Sequence, residues 1–95
     1  MGIVRTRLVL ANPLKPDLPP IEVESLVDIG VMHLCIPEHI AVQLKLNKRE
    51  KREITLDNGA KRLIPYVGPL EVLFGDRSCF VGALVMGDEV LLGAI

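Results

Sequence analysis

Apolar residues fall at every second position through most of this chain, the period of strands that bury one face. Over residues 3–10, Val4, Leu8 and Leu10 are set against Arg5 and Arg7, and a proline-rich bend at residues 13–20 separates this first strand from a second at residues 21–27. The second run halts at Asp28-Ile29-Gly30 and resumes as Val31-Met32-His33-Leu34-Cys35-Ile36-Pro37. Only residues 37–46 read as a helix, with proline in the first turn and Asn47 as its stop. Strands at 53–56 and 60–64 then flank Asp57-Asn58-Gly59, whose Asn-Gly pair accepts the positive φ of a tight hairpin. A second hairpin joins residues 70–74 to 79–86 through Gly75-Asp76-Arg77-Ser78, and a turn at Gly87-Asp88 leads into a last strand at 89–93.

Many short strands with one short helix predict an all-β domain, a small closed or nearly closed barrel. At 95 residues the chain suits a single domain over 1–95, and with only 3% aromatic residues its core must be aliphatic. Eleven basic against twelve acidic residues leave a net charge of −1, which gives no field to hold nucleic acid or an anionic membrane. The run Lys48-Arg49-Glu50-Lys51-Arg52-Glu53 is mixed in sign and reads as a solvated turn or a strand edge. No stretch approaches the roughly 18 apolar residues of a membrane span, and no basic-then-apolar leader opens the chain, so a cytoplasmic protein is expected. Cys35 and Cys79 are then expected as buried free thiols rather than a disulfide.

The residue that demands an account is Asp28, a carboxylate delivered by an apolar strand to a glycine turn. Acids are seldom set among aliphatic neighbours without a partner. One reading is structural, with the carboxylate accepting backbone N–H groups of its own turn. The other aspartates, Asp17, Asp57, Asp76 and Asp88, all fall in turns or the proline bend, where solvated aspartate is ordinary. His33, Cys35, His39 and Cys79 carry ligand atoms but lack paired metal-site spacing, so no metal and no cofactor are expected. Nucleophilic catalysis by either cysteine would need a positioned histidine base, which the nearby His33 does not by itself supply.

Leu26-Val27-Asp28-Ile29-Gly30-Val31, the His33-Leu34-Cys35-Ile36-Pro37 stretch entering a helix, the glycine-tipped hairpin and Val90-Leu91-Leu92-Gly93 together resemble the retropepsin-like (retroviral-type) aspartic proteases, in their bacterial single-domain form. The resemblance runs from about Ile3 to Gly93. It implies a small acid-protease barrel with Asp28 as catalytic acid in a loop with Ile29 and Gly30. It also implies Asp57, Asn58 and Gly59 at the tip of a flap, Leu92 and Gly93 bracing the loop, and Val31, Met32 and His33 lining a groove for an extended peptide. Hydrolysis by carboxylates needs one ionised group to activate water and one protonated group to assist the carbonyl. This chain offers one suitable aspartate, so the reading requires a homodimer in which two copies of Asp28 meet and share a proton. Two features depart from the family pattern. Ile29 replaces a threonine or serine whose hydroxyl ties the two loops together, and the chain ends at Ala94-Ile95 without the family's C-terminal helix and strand. The alternative reading is a protease-like module that binds an extended peptide without cleaving it.

Overall fold

The computed structural model describes residues 4–27, 33–56 and 58–93. Within them the elements run β1 (Val4–Ala11), β2 (Ile21–Val27), β3 (Leu34–Ile36), α1 (Glu38–Gln43), β4 (Asn47–Thr55), β5 (Lys61–Phe74), β6 (Arg77–Val85) and β7 (Val90–Leu92). Their order in the sheet is β1-β2-β7-β3-β6-β5-β4, and a further pairing of β1 with β5 closes the first six into a barrel, leaving β4 outside the ring. The fold is thus the closed all-β barrel with one short helix that the strand spacing predicts.

The closure is made at the end of β1. That strand pairs with β2 along its length, from Val4 opposite Val27 to Leu10 opposite Ile21. Val9, Leu10 and Ala11 also pair with Leu73, Val72 and Glu71 of β5. Alternation along β1 explains its two faces. Leu8 and Leu10 are fully buried, while Arg5 and Arg7 stay outside and reach Glu24 and Glu22 of β2 at 3.3 and 2.7 Å.

Inside the barrel, Leu8, Leu10, Leu34, Ile36, Leu70 and Val72 belong to one aliphatic cluster, joined by Ile40 and Ala41 of α1 and by Leu44, its C-cap. β3 is buried on both faces: Leu34 and Ile36 belong to that core, and Cys35 turns the other way into a second cluster with Ile64 and Leu84. Ile54, Tyr66, Met86 and Leu91 pack against this second cluster. A strand with neighbours on both faces is a continuous apolar run rather than an alternating one, which is how residues 34–36 read.

Three expectations need correction. The helix spans six residues rather than 37–46: Pro37 is its N-cap, and the chain leaves it at Leu44 and Lys45. Lys45 adopts the left-handed conformation at φ 50°, and Asn47 already belongs to β4. The stretches at 60–64 and 70–74 are not separate strands but parts of the continuous 14-residue β5, with a register shift between Val67 and Leu70. Pro65, Gly68 and Pro69 therefore irregularise the strand without ending it, as proline and glycine do at bulges. Finally, Cys79 is exposed, whereas Cys35 is buried. Near the turn of the β5–β6 hairpin even the inward-facing side chains are exposed, and Phe74 is 47% exposed.

Candidate functional site

The segment that carries Asp28 leaves β2 at Val27, and the chain returns at His33 to enter β3. β7 lies between those two strands. On one side Ser25, Leu26 and Val27 run parallel to Val90, Leu91 and Leu92; on the other, Cys35 faces Leu91 in antiparallel register. β3 is fixed on its far side by β6, with Leu34, Cys35 and Ile36 alongside Ala83, Leu84 and Val85. Both exits are therefore held by backbone ladders to the last strand, and Leu92 sits beside the residue that precedes Asp28.

The sequence gives a reason for this arrangement. Ser25, at a position that alternation assigns to the core, is completely buried, and its hydroxyl faces the carbonyls of Leu26 at 3.0 Å and Val90 at 3.3 Å. A buried hydroxyl must find an acceptor, and here it finds them at the β2–β7 seam. Sequence reasoning passed over Ser25, although a lone hydroxyl on the buried face of an apolar strand is a readable signal.

Of the residues singled out from the sequence, Asp28, Ile29, Gly30, Val31, Met32 and Asp57 lie outside the described residues. His33 is half-buried in the bend before β3, and Leu92 and Gly93 are half-buried at the end of β7. Asn58 and Gly59 form the tip of the β4–β5 hairpin. Leu56 N–H donates to the Ala60 carbonyl at 2.7 Å, Gly59 N–H donates to the Leu56 carbonyl at 2.9 Å, and the Asn58 side-chain oxygen accepts from Ala60 N–H at 2.9 Å. Gly59 has φ +83°, the left-handed conformation that the Asn-Gly pair predicts. These tip hydrogen bonds are internal to the hairpin. The structure thus brings Leu92 to the exit of β2, and sets Asn58-Gly59 on a separate, self-contained turn.

Below the tip the hairpin is anchored. The Arg52 guanidinium lies over the Tyr66 ring at 4.0 Å, and Ile54 and Ile64 join the cluster around Cys35. The bury-and-stack contacts hold β4 and β5 to the barrel wall formed by β3, β6 and β7.

A groove of about 300 Å³ opens at the mouth of the barrel, lined by Leu8, Val72, Phe74, Arg77, Cys79 and Leu92 among others. Sequence reading missed it because it arises where distant strands meet at one end of the barrel, a property no local pattern carries. Burial in the second cluster pushes the Cys35 thiol above its ordinary range, so it is a protonated packing group rather than a nucleophile. His39 is exposed on α1, and among the described residues no three of His, Cys, Asp and Glu gather as metal ligands.

No protein-family model matches the chain, and no curated protein matches it.

Proposed function

We propose that the protein is a retropepsin-like aspartic endopeptidase, hydrolysing peptide bonds through a water activated by the paired Asp28 carboxylates of a homodimer. The observation that carries the reading is the setting of the Asp28 segment. It is flanked by β2 and β3, each laddered to the Leu91-Leu92 strand, in a closed barrel that also presents a glycine-tipped hairpin. A carboxylate pair works only if its separation is held closely, and strands fixed on both sides of β7 supply rigid exits from the loop. One copy of Asp28 would ionise and take a proton from water; the other, kept protonated by its neighbour's charge, would donate to the carbonyl oxygen. A cytoplasmic location and an extended peptide as substrate belong to the same reading. Among the described residues no helix is long and apolar enough to cross a membrane.

Ile29 favours a second reading, a dimeric module that grips an extended peptide without cutting it. Isoleucine offers no hydroxyl to tie the two loops together.

Sedimentation across concentration, followed by a peptide-cleavage assay, separates the two. The protease reading expects a dimer, cleavage in the acidic to near-neutral range, inhibition by a statine-type transition-state mimic, and complete loss in Asp28→Asn. Peptide affinity without cleavage, unchanged in Asp28→Asn, establishes the binding module. A strict monomer overturns the dyad.

A further inference from the structure

β4 is the terminal strand of the sheet: it pairs with β5, and no described strand occupies its other edge. At nine residues it is long for an unpaired edge, and such an edge is a template for another chain. Lysine and glutamate normally protect an edge because an incoming strand meets charges it cannot match. The order of charges in β4 is different in kind. Every residue from Asn47 to Lys51 is exposed, as is Glu53, and the signs run +, +, −, +, +, − from Lys48 to Glu53.

We propose that this edge pairs antiparallel with the same edge of a second copy of the chain, about a two-fold axis through Lys51. The register follows from symmetry. Two identical antiparallel strands are related by an axis perpendicular to the sheet, so a residue and its copy share a face and one residue must face itself. With Glu50 on the axis, Glu50 meets itself and Arg49 meets the partner's Lys51, which is repulsive throughout. With Arg52 on the axis, Arg52 meets itself and only Lys51 finds an opposite charge, the partner's Glu53. With Lys51 on the axis, Lys51 meets itself, but Glu50 faces the partner's Arg52, Arg52 faces the partner's Glu50, and Arg49 and Glu53 face each other at the margins, so four opposite-charge contacts outweigh one like pair. Opposite charges directly across an antiparallel pair stabilise it and like charges oppose it.

The local structure prepares these groups. Glu50 and Arg52 already pair within the strand at 3.1 Å, on the face where Arg52 is held flat over Tyr66. An added copy extends that pair into an alternating row of four charges. The bulge between Lys48 and Glu50, where the Arg49 side chain donates to the Gly68 carbonyl at 3.2 Å, bends the strand beyond that point and confines the contact to its centre. This association does not depend on proteolysis or on Asp28.

Sedimentation of the wild type, Glu50→Arg, Arg52→Glu and an equimolar mixture of the two variants tests it. The wild type is expected to dimerise, and each reversal to weaken the dimer by roughly tenfold or more, since both central pairs become repulsive. Mixing the two restores association, because positions 50 and 52 of each variant then face opposite charges on the other. Glu50→Gln, which keeps the side-chain shape, should weaken the dimer less than Glu50→Arg. A wild-type monomer at all concentrations overturns the proposal, as does a dimer indifferent to either reversal or a mixture that stays monomeric. A dimer indifferent to both reversals is held elsewhere, which leaves the protease reading standing; a dimer lost in each reversal and restored in their mixture identifies the β4 edge.

Discussion

Asn12 shows how much one polar side chain can decide. It is 5% exposed, donates from Nδ2 to the carbonyls of Leu44 at 2.8 Å and Lys45 at 3.4 Å, and accepts from Leu14 N–H at 2.9 Å. It therefore ties the end of β1 to the end of α1 and satisfies helix carbonyls that would otherwise be orphaned. Asn12→Ala should destabilise the fold by about 2 kcal/mol, read as a lowered urea midpoint, because it strands a buried carbonyl. The two thiols separate by environment. Cys79 should react fast with a thiol reagent and Cys35 only on unfolding, with Cys79→Ser abolishing the fast phase. Burial raises the Cys35 pKa above its ordinary value of 9.0, so the thiol stays neutral in the fold after the unfolded thiol begins to ionise. Its contribution to stability is complete below about pH 9 and is lost as pH climbs through the raised folded value. The urea midpoint of the wild type should accordingly fall more between pH 8 and about 10 than that of Cys35→Val.

At the scale of elements, the hairpin and the helix make opposite lessons. The β4–β5 tip follows its own residues: Asn58 and Gly59 fix the turn, and Gly59→Ala should cost about 1 kcal/mol in denaturant titration because alanine resists φ +83°. The helix stop does not follow its own residues. Asn47 is the better left-handed residue, yet Lys45 takes that conformation, because Asn12 collects the Leu44 and Lys45 carbonyls from outside the helix. β4 and β5 are longer than any alternation shows. The charged run of β4 is the strand edge, not the turn, of the two readings open for it, and β5 continues through Pro65 and Pro69. Close approach holds the middle of β5 to β6. A Cβ on Gly82 would collide with the Tyr66 hydroxyl and ring, so Gly82→Ala should displace Tyr66 from beneath Arg52 and cost about 1–3 kcal/mol, with the tyrosine fluorescence changing alongside the unfolding midpoint.

For the whole molecule the decisive event is closure of the ring by three residues of β1, the strand whose Leu8 and Leu10 also fill the barrel. Leu10 pairs with Val72 across the seam and is itself fully buried, as are Leu8 and Leu70. Leu70→Ala should destabilise by about 3 kcal/mol, measured by urea unfolding, through lost burial and the cavity left in an aliphatic core. The same closure explains what remains open. β4 falls outside the ring with no described strand on its other edge, and among the described residues nothing covers the barrel mouth around Phe74, Cys79 and Leu92.

The sequence by itself determined the all-β character, the single short helix, the Asn-Gly hairpin and the aliphatic core, because each depends on alternation, turn chemistry or composition within a few residues. It also marked Leu92 and Gly93, though only through their likeness to a motif, and the strand pairing then put Leu92 beside Val27. Tertiary structure decided the rest. Which strands neighbour which, the place of β7 between β2 and β3, the early end of α1, the acceptors that Ser25 finds and the exposure of Cys79 all depend on contacts far apart in the chain. Local patterning sets which face of a strand is apolar; only closure of the barrel decides what that face meets.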